Sequence, residues 1–175
     1  MKGSSRDKYR WEGRKMKKQV FLIVLIALCT GVLFADTVLT AKGIIALKNT
    51  EDGYAFTLEE LKKMAGTTYV VQDPWMGECF YQGISLIDLL NYVGYPTNAK
   101  KIILVCSDKK EFTVTVNDAK LYPIILAYAN KGKDLPQNQG GPLKLVFPVT
   151  TYPEIEKIYP KENWAWWVIE IRVEM

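Results

Sequence analysis

Apolar and polar positions along this chain change their period several times, and each change marks an element. Val38 to Leu47 interleaves apolar and polar residues in the manner of a strand, and Asn49 to Gly53 is a polar turn. Thr57 with Glu60 three residues on forms a capping-box pattern. Leu58, Leu61 and Met64 then fall on one helical face before Gly66 stops the run. Tyr69 to Val71 predicts a short strand, and Gln72 to Gln82, which holds Pro74, Trp75 and Gly77, reads as an irregular loop. Ser85 opens a second helix with Asp88 at its third position; Leu86, Leu89, Leu90 and Val93 are its apolar residues, and Gly94 closes it.

Lys101 to Cys106 and Glu111 to Val116 predict two strands joined as a hairpin across Ser107-Asp108-Lys109-Lys110. Ile124 to Ala129 follows as a strand turned at Asn130-Lys131-Gly132, and Leu143 to Phe147 and Trp166 to Val173 complete the set. Gly140-Gly141-Pro142 feeds the penultimate strand. Two adjacent glycines admit backbone angles closed to other residues and let a ligand come close to the main chain. Strands outnumber helices and do not alternate with them, so the expected class is α+β, with mixed β-sheets and a few short helices.

Ahead of this pattern lies a basic stretch and then an apolar run from Val20 to Ala35. A positive n-region, an apolar core and Ala35 before Asp36 predict a cleavable signal peptide over residues 1–35, with Met16 as the alternative start. An uncleaved membrane anchor is the rival reading, because the apolar run is long and Leu33 is a poor residue three before the cut. Cleavage would leave residues 36–175 as one domain in the periplasm. The leader changes the charge picture. The whole chain has 23 Lys/Arg against 19 Asp/Glu; residues 1–35 hold eight and two of these, which leaves 15 against 17 and a formal charge of −2. The basic footprint of a nucleic-acid binder is therefore missing.

Histidine is absent, which excludes Ser-His-Asp and Cys-His catalysis, His-ligated zinc or haem and an imidazole proton shuttle. Cys79 and Cys106 follow the leader; they could pair in an oxidising compartment or stay as buried thiols. Tryptophan is the conspicuous resource. Trp164, Trp166 and Trp167 fall within four positions, and Trp75 sits in the predicted loop. Indoles suit a flat conjugated ring that stacks on them while a carboxylate and a few amides read its edge. The same tryptophans would also serve a core, and strand alternation would send only one of Trp166 and Trp167 inward. Tyr152 to Lys161 reads as a solvated loop or as a pocket rim, with Lys157 placed to meet an acidic ligand group.

Six pieces in order carry a family resemblance: Phe56-Thr57-Leu58-Glu59-Glu60-Leu61; Tyr81-Gln82-Gly83-Ile84-Ser85-Leu86 with Leu89-Leu90; Ser107-Asp108; Leu126-Ala127-Tyr128; Gly132-Lys133-Asp134-Leu135-Pro136; and Gly140-Gly141-Pro142-Leu143-Lys144. Over residues 38–174 the chain resembles the molybdopterin-binding domain of the sulfite oxidase family, in its small stand-alone exported form. The resemblance implies that fold, and a site on it. The family's molybdenum-ligating cysteine falls in register on Val71, which cannot ligate a metal; Cys79 is in the same loop but off that register. Lys144 stands where the family usually has arginine, a fork for phosphate that a lysine point charge does not reproduce. The resemblance places Asp108 and Gln139 toward the ligand, along with Gly140, Gly141 and Lys144, and the aromatic reading adds Trp75, Trp164 and Trp166.

Three functions compete at this point. The first is a non-catalytic binding module that holds a pterin-type ligand, a tetrahydropterin or similar heterocycle, and reports it to a membrane receptor or cyclic-di-GMP enzyme, as the periplasmic pterin-binding members that the chain resembles do. The second is a molybdopterin-dependent oxidoreductase with an unusual ligand set. The third is an interaction protein with an empty pocket. Molybdopterin ranks behind a simple pterin because Val71 replaces the ligand cysteine.

Overall fold

The computed structural model describes residues 36–175. The predicted signal peptide lies outside the described residues. Ten strands form two sheets. The first has the order β2 (Tyr54–Thr57), β1 (Thr37–Gly43), β10 (Val168–Glu174), β5 (Lys101–Cys106), β6 (Glu111–Thr115); β1 and β10 run parallel and the other neighbours antiparallel. In the second, β3 (Thr67–Asp73) pairs with β4 (Gly77–Ser85) and β4 with β7 (Ile125–Asn130). The other edge of β7 takes β8 (Lys133–Asp134) and β9 (Lys144–Val146). With four short α-helices among the described residues, α1 (Leu58–Lys63), α2 (Leu86–Val93), α3 (Val116–Leu121) and α4 (Ile155–Ile158), the class is α+β with a mixed sheet. No helix among the described residues is long and apolar enough to cross a membrane.

The two predicted helices form for the predicted reasons. Thr57 and Glu60 make the capping box that opens α1, and the Ser85 side chain accepts the Asp88 N–H at the start of α2. Leu86, Leu89, Leu90 and Val93 are all buried. Such caps are worth about 1 kcal/mol each, so burial of the apolar face holds these short helices.

Several boundaries differ from the sequence reading. The first strand ends at Gly43, whose φ of +86° leaves the extended region, and not at Leu47. β2, α3 and α4 carry too few residues for their periodicity to stand out. The largest difference is Gln72 to Gln82, which is not an irregular loop. It is the heart of a hairpin: β3 and β4 pair in register from Thr67 opposite Gly83 to Asp73 opposite Gly77, and only Pro74 to Met76 turn. Cys79 and Tyr81 point into the core while Glu78, Phe80 and Gln82 are exposed, the period-two pattern of a half-buried strand. The final strand starts at Val168, because Trp167 adopts a φ of +56° that breaks the extension.

Candidate functional site

The site begins with a buried ion pair. β9 pairs with β7, Lys144 opposite Ala127, and this places the Lys144 side chain fully inside the protein. Its ammonium donates to Asp73 Oδ2 at the end of β3 and lies 3.1 Å from the Tyr81 hydroxyl of β4. Tyr81 in turn donates to Asp73 Oδ2 at 2.7 Å. The other carboxylate oxygen, Oδ1, accepts the Trp75 and Met76 N–H groups at 2.9 and 3.1 Å, an Asx turn that closes the hairpin. Asp73 therefore joins the buried charge to the turn that carries Trp75.

Burial pushes the Asp73 carboxyl up, but Lys144, the Trp75 N–H and the Tyr81 hydroxyl pull harder and hold it below its ordinary value. Burial also pushes the Lys144 ammonium down, more than its bond to Asp73 raises it. Four aromatic rings surround that ammonium: Trp166 at 4.7 Å to the ring centroid, Tyr81 at 5.4 Å, and Trp75 and Trp164 each at 5.7 Å. The cation–π contacts of such a cage strengthen when it is desolvated.

Three of those rings wall a pocket of about 310 Å³, at the small end of the range for small-molecule sites. Trp75, Trp164, Trp166 and Trp167 line it, with Asp108 and Lys110 from the β5–β6 turn and Cys106 and Phe112 from the strands beside it. Glu162 completes the lining. The indoles stand edge to face: Trp75 to Trp164 at 6.4 Å and 74°, Trp75 to Trp166 at 5.8 Å and 83°, Trp166 to Trp167 at 5.8 Å and 83°. A flat ring stacked on one indole therefore meets the edges of its neighbours. The Trp segment is held along the double-glycine segment by Trp167 N–H to Gly140 O at 2.9 Å, Val168 N–H to Leu143 O at 2.9 Å and Leu145 N–H to Ala165 O at 2.8 Å.

Of the residues singled out from sequence, Trp75, Asp108, Trp164 and Trp166 meet around this pocket. Trp75 is half-exposed, whereas Trp164 is 3% exposed. Asp108 is held within the turn and borders the pocket: its Oδ1 accepts the Lys110 N–H and its Oδ2 pairs with Lys110 Nζ at 3.1 Å. The Lys110 side-chain bond holds the Asp108 carboxyl below the usual range. Burial pushes the Cys106 thiol up to about 11, so it is neutral.

The other candidates lie outside this pocket. The Lys144 ammonium is paired with Asp73 behind the pocket wall. Gln139 sits in a 3-10 turn and does not line the pocket. Gly140, at φ +89°, is close-packed by the protein itself, since a Cβ there would lie 2.9 Å from the Trp166 ring. A Cβ on Gly141 would lie 1.8 Å from the Leu135 carbonyl oxygen. Gly140 thus admits an indole and Gly141 a main chain, and Gly141 also borders a neighbouring pocket. Lys157 is exposed on α4 and lines neither this pocket nor its neighbour. Both Trp166 and Trp167 face the pocket, because Trp167 is left-handed and strand alternation does not apply there.

Asp73 and Tyr81 were missed as site residues. Asp73-Pro74 is a turn-opening dipeptide, a signal that was there to use; the pairing of Asp73 with Lys144, 71 residues on, has no local signature.

The family model of the oxidoreductase molybdopterin binding domain matches residues 45–155, and the chain belongs to that family. Among solved structures, the sulfane dehydrogenase SoxCD from Paracoccus pantotrophus is similar, with 18% identity and a TM-score of 0.62 over 80% of this chain and 38% of that one. At that identity the likeness shows the shared fold, and this chain spans well under half of that structure's length. No curated protein matches the chain.

The residues present do not fit the metal-bearing form of the family's cofactor. Val71, at the ligand register, is fully buried and apolar. Directly opposite it, Cys79 is a buried free thiol. Among the described residues Lys110 is the one basic residue lining the pocket, and it is paired with Asp108. A phosphate would find no unpaired cation among them.

Proposed function

We propose that this chain is a non-catalytic pterin-binding module, exported to the periplasm, that reports its ligand to a membrane signalling partner such as a receptor or a cyclic-di-GMP enzyme. The single observation that carries the reading is the walled pocket: four indoles set edge to face, a carboxylate at the rim, and among the described lining residues no unpaired cation. A pterin ring stacks on indole, and its amino and ring N–H groups suit the Asp108 carboxylate. Molybdopterin itself contains a pterin ring, and the ring is the part of it that this pocket's indoles suit. The test is chemical. Protein purified from its own periplasm is expected to release a pterin on denaturation and to carry no molybdenum; stoichiometric molybdenum would overturn the reading.

The oxidoreductase reading has one observation in its favour, the position of Cys79 across the hairpin from Val71. Cys79→Ser decides it. Pterin affinity is expected to be unchanged within about twofold, because Cys79 is 2% exposed and does not line the pocket. Loss of a bound metal in that variant, read by metal analysis, would show a ligand set rebuilt around Cys79.

Trp75→Ala separates platform from core. Trp75 is half-exposed, so its removal is expected to cost roughly 1–3 kcal/mol of affinity for a flat ring, by the measure of base stacking on aromatics. The melting temperature without ligand should move little. A collapsed melting point with unchanged pterin affinity would remove Trp75 from the site.

A further inference from the structure

A second pocket, of about 400 Å³, shares Trp167 with the first. The chain divides its residues between the two. Cys106 and Asp108 line the first and the intervening Ser107 the second; Trp166 lines the first and Ile169 the second. Trp167 stands at the boundary and is held there from three sides. Its Nε1–H donates to the Gln137 carbonyl at 2.7 Å, its N–H donates to the Gly140 carbonyl at 2.9 Å, and its own carbonyl accepts the Ser107 N–H at 3.0 Å. Its φ of +56° is a conformation that bulky residues rarely hold unless the surroundings impose it, and such outliers gather at ligand sites.

We infer that the two pockets form one bipartite site in which Trp167 is the partition, the first pocket taking a flat ring and the second a short, uncharged, hydroxylated tail on that ring. The inference rests on the ring-binding reading of the first pocket. The chemistry of the second decides the tail. Its polar side chains are Ser107 and Gln137, a hydroxyl and an amide that exchange hydrogen bonds with hydroxyl groups. Leu135, Gly141, Pro142 and Ile169 supply the apolar wall, and among the described residues no ionisable side chain lines it. A hydroxyalkyl chain is satisfied there; a phosphate ester would be desolvated with no cation to meet it. Trp167 is therefore a specificity-determining residue, because its clamped indole sets where the ring ends and the tail begins.

The experiment titrates the full chain with three compounds: unsubstituted pterin, a pterin bearing a short hydroxyalkyl group at ring carbon 6, and the phosphate ester of that group. The hydroxyalkyl compound is expected to bind about tenfold tighter than bare pterin, the gain from one or two net hydrogen bonds. The ester should bind no tighter than bare pterin. Ile169→Trp, at a position 45% exposed on β10, fills the second pocket and is expected to bring the tailed-to-bare affinity ratio down to about one. Ser107→Ala, which deletes a hydroxyl without adding bulk, should lower the same ratio part of the way. Equal affinities for bare and tailed pterin in the unmodified chain, a preference for the phosphate ester, or a ratio that survives Ile169→Trp would each overturn the bipartite site while leaving ring binding intact. Failure of all three compounds to bind would instead overturn the ring reading, and this inference with it.

Discussion

Lys144→Met is expected to destabilise the protein by about 3–5 kcal/mol, the cost of leaving one partner of a buried ion pair uncompensated, and to lower the melting temperature by on the order of 10 °C. The size follows from geometry. Both side chains of the Lys144–Asp73 pair are fully buried, and the Asp73 carboxylate keeps only the Tyr81 hydroxyl and the turn N–H groups once the ammonium is gone. Lys144→Met with Asp73→Asn removes both charges and keeps an amide oxygen for the Trp75 and Met76 N–H groups. That double variant should recover most of the loss, because the stability of a buried pair depends more on its being matched than on its being charged. If Lys144 instead extended into solvent as a cofactor anchor, the single variant would cost about 1 kcal/mol or less.

The same pair shapes the acid limb of stability. The folded pKa of Asp73 lies below its ordinary 3.8, so its contribution is fully present above that value and is lost as pH falls through the lower, folded one. Urea melts of the unmodified chain should therefore lose stability below pH 3.8 more steeply than those of the double variant. Parallel curves would show that Asp73 titrates as it does in the unfolded chain.

Trp164→Ala should give the second large effect, about 3–5 kcal/mol of lost stability, and here pocket and core fail together. Trp164 is 3% exposed, packs at 6.0 Å against Phe147, stands at 6.4 Å from Trp75 and covers Lys144 at 5.7 Å. Removing it opens a cavity beneath the pocket floor and uncovers the ammonium. Chemical denaturation measures the first effect and pterin titration the second. A change below about 1 kcal/mol would mean that the wall relaxes to fill the space. The contrast with Trp75→Ala is the useful part: of two indoles of one pocket, Trp164 is expected to cost stability as well as affinity, and Trp75 affinity alone.

Much of this fold could be read from local pattern, and the reasons are physical. The capping box of α1, the Ser85 cap of α2, the apolar faces of both, and the β5–β6 hairpin across Ser107–Lys110 depend on residues within one or two turns of each other. The β3–β4 hairpin was obscured because Pro74 and Gly77 lie in the middle of it, and these breakers outweighed the alternation of Cys79 and Tyr81. At the site, the indoles and Asp108 could be named as residue types suited to a flat ring, and four of the nine candidates meet around one pocket. Lys144 could not be placed. Its neighbours in sequence say only that it is in a strand, while its role depends on Asp73, and that contact requires two strands of the second sheet to be brought together. Trp167 escaped for a related reason: alternation predicts one inward indole, and only the backbone shows that its left-handed φ turns both toward the pocket.

The central claim is that the indole-walled pocket binds a pterin ring, and titration of the full chain with oxidised and reduced pterin, followed by indole fluorescence, tests it most directly. The account predicts saturable quenching at one pterin per chain, with the affinity about fivefold or more weaker in Trp75→Ala, the stacking loss expressed as a dissociation constant. Absence of saturable quenching by either redox form, or an affinity that Trp75→Ala leaves unchanged, would contradict it.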